Sequence, residues 1–143
     1  MKPIFYILTL IFCENSFCYS QIEDEQYTMS VVETSPQFPG GEKARLKYLS
    51  ENLKYPQSAI DSGIQGTVHV TFVIETDGVV SDVRVIRGIR GCEDCDKEAI
   101  RLVEGMPSWI PGEQRGKPVR VQFNMPIRFS LDNVQNKQET QRE

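Results

Sequence analysis

A chain of 143 residues, 39% hydrophobic, 9% aromatic and 25% charged, has the composition of one soluble globular domain rather than a disordered or fibrous protein. Lys+Arg 16 against Asp+Glu 20 leaves a formal charge of −4, which excludes the strongly basic surface that nucleic-acid binding requires. A single histidine, His69, gives a histidine-rich metal site or a Ser-His relay little to draw on.

Met1–Ser20 (MKPIFYILTLIFCENSFCYS) reads as a secretory signal peptide. Lys2 supplies a minimal positive start, Ile4–Cys13 is an apolar run, and Cys18 and Ser20 stand at −3 and −1 of a cut before Gln21. The run is too short to span a bilayer, which takes about 20 residues. Two other fates stay open: an uncleaved leader anchored in the inner membrane, and lipidation at Cys13 or Cys18. Phe12 and Phe17 oppose lipidation, which wants a small residue there. Cleavage leaves only Cys92 and Cys95, in a compartment that permits a disulfide.

Gln21–Ser35, acidic at Glu23-Asp24-Glu25, predicts a short polar lead, disordered or weakly ordered. The fold is expected within 36–130. Glu42–Leu53 places Leu46, Leu49 and Leu53 at helical spacing after Pro39-Gly40-Gly41, and Pro56–Ser62 is a short helix stopped by Gly63. Thr67–Ile74 alternates, with Val68, Val70, Phe72 and Ile74 inward and Thr67, His69 and Thr71 outward. Thr76-Asp77-Gly78 turns the chain into a second strand, Val79–Arg87. Asp96–Met106 predicts a helix capped by Asp96, with Ala99, Ile100, Val103 and Met106 on one side. The last strand, Val119–Phe129, turns its odd-numbered residues in and Arg120, Gln122, Asn124, Pro126 and Arg128 out. Leu131–Glu143 is polar and predicts a solvated, disordered tail.

These elements give an α+β fold: a three-stranded antiparallel sheet of order 2-1-3, its apolar face covered by helices. A hairpin sets strands one and two antiparallel. An all-antiparallel sheet then puts strand three beside strand one and leaves strands two and three as edges. Pro126 agrees, since a missing N–H is tolerated on the free side of an edge.

No catalytic constellation emerges, and no enzyme activity, cofactor or metal is expected. Cys92-Glu93-Asp94-Cys95 is a weak redox motif, because two acids between the thiols raise their pKa. A local structural disulfide and a pair of free thiols are its other readings. His69 reads as a solvated sheet residue, and Trp109, between prolines, as a packing anchor rather than a partner-facing residue. What remains is an edge strand on an exported module, which can take up an extended peptide as a further strand.

The motifs PQFPGG, YLSENLKYPQSAIDSGIQGTVHVTFVIETDGVVSDVRVIRG and CDKEAIRLVEGMPSWIPGEQRGKPVRVQFNMPIRF follow one another from Pro36 to Phe129. Together they closely resemble the TonB C-terminal domain family, in the variant with an FPGG lead and an MPxWxPG turn. The resemblance implies a periplasmic αβ domain of an energy transducer. It would bind the box peptides of TonB-dependent outer-membrane receptors by strand addition, in concert with an inner-membrane proton-channel complex. The docking segment it implies starts with Val119, Arg120, Val121, Gln122, Phe123 and Asn124. Free edges also admit a homodimer. Full transducers of this family carry a Pro-rich spacer, whereas Gln21–Ser35 holds no proline and reaches at most about 50 Å. Hence there are two expectations: a component of energy-coupled transport, or a soluble envelope module that binds peptide or wall ligands without transmitting force.

Overall fold

The computed structural model describes residues 31–140; the leader and most of the polar lead lie outside them. The elements are α1 (Gly41–Asn52), α2 (Gln57–Asp61), β1 (Gly66–Ile74), β2 (Val80–Arg87), α3 (Glu93–Glu104), β3 (Gly112–Gln114), β4 (Lys117–Val119), β5 (Val121–Phe129) and α4 (Asp132–Thr140). None of these helices is long and apolar enough to cross a membrane.

The fold is α+β, and its main sheet has the order β2-β1-β5, all antiparallel, as the alternation predicts. The β1–β5 register is continuous from Gly66 opposite Phe129 to Ile74 opposite Val121. Period-two patterning sends Val68, Val70, Phe72 and Ile74 of β1 and Val121, Met125, Ile127 and Phe129 of β5 into the core. Full burial of such a side chain contributes roughly 1.5–3 kcal/mol.

Helices cover this face, α3 above all because it carries an apolar stripe to bury. Cys95, Ala99, Leu102 and Val103 of α3 are buried at helical spacing, and Ala59 carries α2 into the same cluster. The face that α1 packs is Ala44, Tyr48 and Leu49. Leu46, expected inward, is 54% exposed, because it stands about 200° around the helix from Ala44. Polar ties then fix α3 against the end of α1. The Tyr48 hydroxyl donates to the Leu102 carbonyl (2.9 Å), Arg101 Nη2 to the Asn52 carbonyl (2.9 Å), and the Lys54 N–H to Glu98 Oε1 (2.7 Å). Burial alone would raise the Glu98 pKa, but the Arg101 guanidinium and the Lys54 N–H hold it below the ordinary carboxylate value.

Trp109 closes the core at the hairpin end, with Phe38, Phe72 and Phe123 around it at centroid distances of 5.5, 5.8 and 5.2 Å. Its backbone N–H donates to the Gly78 carbonyl (2.8 Å), and Gly78 takes φ +86° in the β1–β2 turn.

Four local expectations change. The third helix starts at Glu93, with the Cys92 sulfur accepting from the Cys95 N–H (3.2 Å) as its cap; Asp96 sits in the first turn and accepts from the Ile89 N–H (3.4 Å). The expected third strand is split, because Val119 ends a separate hairpin, β3–β4, and Arg120 lies between hairpin and sheet. Thr34 exchanges backbone hydrogen bonds with Glu113 (3.1 and 2.9 Å), and Gln37 with Ile110 (3.0 and 2.8 Å), so the ordered fold begins before Pro36. Finally, much of the expected disordered tail is helix α4. Gln, Lys and Glu are good helix formers, and Asp132 in the first turn and Lys137 in the last suit the helix dipole.

Candidate functional site

The sheet buries one face under helices and presents the other, and β5 is one of its two outer strands. Pro126 stands opposite His69 on β1. A proline sits in a ladder only where its nitrogen points away from the paired neighbour. That places the Pro126 nitrogen on the free side of β5. By the alternation of antiparallel bonding, the N–H groups of Gln122, Asn124 and Arg128 share that side. The free edge therefore carries donors at 122, 124 and 128 and a gap at 126.

The side chains of these same residues point to the open face and are not equivalent. Arg120 Nε donates to Glu75 Oε2 (2.7 Å) and Nη2 to Oε1 (3.1 Å), a two-point contact that the Ser81 hydroxyl joins at Oε1 (2.6 Å). The Arg120 guanidinium holds the Glu75 carboxyl below the ordinary carboxylate range, against a smaller effect of burial, and Ser81 adds to it. Gln122 Nε2 donates to Thr71 Oγ1 (3.1 Å), which explains why Thr71, expected to be solvated, is buried. Asn124 and Arg128 are exposed. On the inner side, Val121 is buried and Phe123 half-buried against Phe72 and Trp109.

Of the six residues expected to dock a peptide, Val121–Asn124 therefore lie on the edge strand. Val119 belongs to β4 and Arg120 is bound up with Glu75. Sequence reasoning missed Glu75 as the organiser of this end, since 45 residues separate it from Arg120. Cys92 and Cys95 stand apart from the edge. They form a disulfide at the start of α3 and are buried in the core cluster. Among the described residues no cluster of His, Cys, Asp and Glu is arranged to hold a metal ion.

The family model described as "Gram-negative bacterial TonB protein C-terminal" matches residues 51–131, a span that contains β1, β2, α3 and the whole of β5. Two solved structures are similar, both NMR solution structures of the Helicobacter pylori TonB C-terminal domain. One is 25% identical with a TM-score of 0.47, covering 62% of this chain and 91% of its own. The other is 25% identical with a TM-score of 0.44, covering 64% and 85%. Among curated proteins none matches. The matched family model spans more than half of the sequence, and the chain belongs to the Gram-negative bacterial TonB protein C-terminal family.

Proposed function

We propose that this is an exported, non-enzymatic protein of the periplasm. It binds TonB-dependent outer-membrane receptors by taking an extended receptor peptide as a further strand along β5, and so takes part in energy-coupled transport. Family membership supports an envelope location and a role in binding receptors. The N-terminal signal pattern supports export. The observation that carries strand addition is the placement of β5 at the sheet edge with Pro126 in it, which aims a row of backbone donors and acceptors away from β1. Backbone bonds of that kind supply affinity whatever the peptide's side chains.

Titration of the 15N-labelled protein with receptor N-terminal peptides tests this reading. The Gln122, Asn124 and Arg128 amides should shift and gain protection from exchange, with β2 amides unaffected. Asn124→Pro removes one free-side donor, as Pro126 already does, so the fold should persist while affinity falls about five- to tenfold, one hydrogen bond's worth. A response confined to β2 or to the helices, with β5 silent, would refute strand addition here. Intact mass of the native protein tests export: a species beginning at Gln21 shows cleavage, and one retaining residues 1–20 shows an anchor.

A further inference from the structure

The open-face side chains of β5, with Arg120 just before it, are already sorted by their intramolecular contacts. Arg120 is held by Glu75 and Gln122 by Thr71, and Pro126 offers no polar group. That leaves Asn124 and Arg128, exposed and with no hydrogen bond or ion pair among the described residues. Arg128 pairs across the ladder with Thr67 and lines an open groove of about 410 Å³ with Gln65, Gly66, Thr67, Phe129 and Ser130. The acids of the open face are engaged elsewhere, Glu75 with Arg120 and Asp82 with Arg84 (3.3 Å). Arg87, opposite His69, is a second exposed cation without a partner among the described residues. The chain as a whole is acidic, yet this end of the open face is cationic and unneutralised.

From this sorting we infer that Arg128 and Asn124 select the incoming strand, an inference that rests on the strand-addition reading above. The preferred peptide carries a carboxylate side chain opposite Arg128 and a hydrogen-bonding side chain opposite Asn124, four residues apart. That spacing holds for either chain direction, because directly opposed residues share a face and their side chains meet at about 4.5–5.5 Å. Arg120 and Gln122 are less available to an incoming side chain, since each already donates within the fold, Arg120 to Glu75 and Gln122 to Thr71. Side chains of the peptide at the intervening positions turn away from the open face and escape selection by charge.

The test uses the full chain and a set of neutral, alternating Thr/Val peptides in which a single Glu, or Gln as control, is walked along the sequence. Affinity should rise and fall with a period of two. Its peak, where Glu faces Arg128, should exceed the Gln control by about two- to fivefold. Arg128→Gln should erase the peak, Arg128→Lys should retain it, and Arg87→Gln should leave its position unchanged. Arg128 is exposed, so these variants are expected to fold. A flat Glu profile, or a peak that survives Arg128→Gln, overturns the selectivity. The neutral parent peptide separates the two readings. If it shifts β5 amides while the Glu scan is flat, only the selectivity fails; if no peptide shifts β5 amides, strand addition fails and the selectivity with it.

Discussion

Replacing Gly78 with Ala should be one of the most damaging small changes available to this fold. Gly78 has φ +86°, and a Cβ built there would overlap the Trp109 carbonyl oxygen and stand 2.9 Å from the carbonyl carbon. Three effects act together. The left-handed conformation costs an L-residue roughly 1–2 kcal/mol. Relief of the overlap moves the Trp109 backbone, losing its 2.8 Å hydrogen bond to Gly78, about 1 kcal/mol. It also displaces a side chain packed among Phe38, Phe72 and Phe123, for roughly 1–3 kcal/mol more. The loss should be about 3–6 kcal/mol, against a total stability of about 5–15 kcal/mol for a domain of about 100 residues. Gly116→Ala is the control: φ is +73° there too, but nothing lies within 4 Å, so only the backbone effect of roughly 1–2 kcal/mol remains. Urea unfolding followed by fluorescence of Trp109, the single tryptophan, and by circular dichroism measures both. Equal losses in the two variants would refute the overlap as the cause.

Further consequences follow from the polar ties. The folded-state pKa of Glu75 is depressed, first of all by Arg120. The stability this contributes is therefore present above the ordinary glutamate range and is lost as pH falls through the lower folded value. Glu75→Gln should accordingly lower stability most at neutral pH and flatten the acid limb of a stability–pH curve, its deficit shrinking as pH falls; an unchanged acid limb would refute this. Arg101→Ala removes a donor from the Asn52 carbonyl and the partner of Glu98, and should lower the urea midpoint by about 1–2 kcal/mol equivalent; hydrogen exchange should locate the loosening at the end of α1, and exchange unchanged there would refute the tie. Both residues of the Cys92–Cys95 disulfide are buried, so dithiothreitol should release thiols only at the rate of unfolding. The reduced chain should lose at most about 2 kcal/mol, because the closed loop is so short; prompt thiol release from the native protein would show the sulfurs to be accessible.

The parts of the fold legible in the sequence were those set by a single repeating preference. Val121 to Phe129 alternates without interruption, and Val68 to Phe72 does so until Val73 adds an apolar residue on the other face; β5 and β1 follow from those patterns. The β3–β4 hairpin was hidden because its turn uses Arg115 at φ 52° before Gly116 at φ 73°. Two successive positive φ values usually announce themselves as Asn-Gly or Gly-Gly. Cys92 disguised the start of α3 by capping it with sulfur, a weak acceptor that carries none of the usual Ser, Thr, Asp or Asn signal. The candidate edge was visible through Pro126, but its division into engaged and exposed side chains was not. That division depends on Glu75 and Thr71, which only the folded register brings beside Arg120 and Gln122.

The two bridged pairs at the N-terminal side, Thr34 with Glu113 and Gln37 with Ile110, have a mechanical meaning. Tension applied through the N-terminal segment and resisted by a strand held along β5 meets these pairs before it reaches any helix or the main sheet. They are anchored on the segment that also seats Trp109, so the load passes next to the aromatic cluster rather than into the β1–β5 ladder. Their rupture would pay out residues 34–37, up to roughly 14 Å of chain, before the load reaches Phe38, buried beside Trp109, while the sheet and its edge stay intact. An optical-trap record with handles at residues 31 and 129 should show a small first extension of that size ahead of the main unfolding event; a single-step rupture would show that the bridges do not yield first. If β5 holds a receptor strand as proposed, a domain built this way lengthens its leash under pull without releasing that strand.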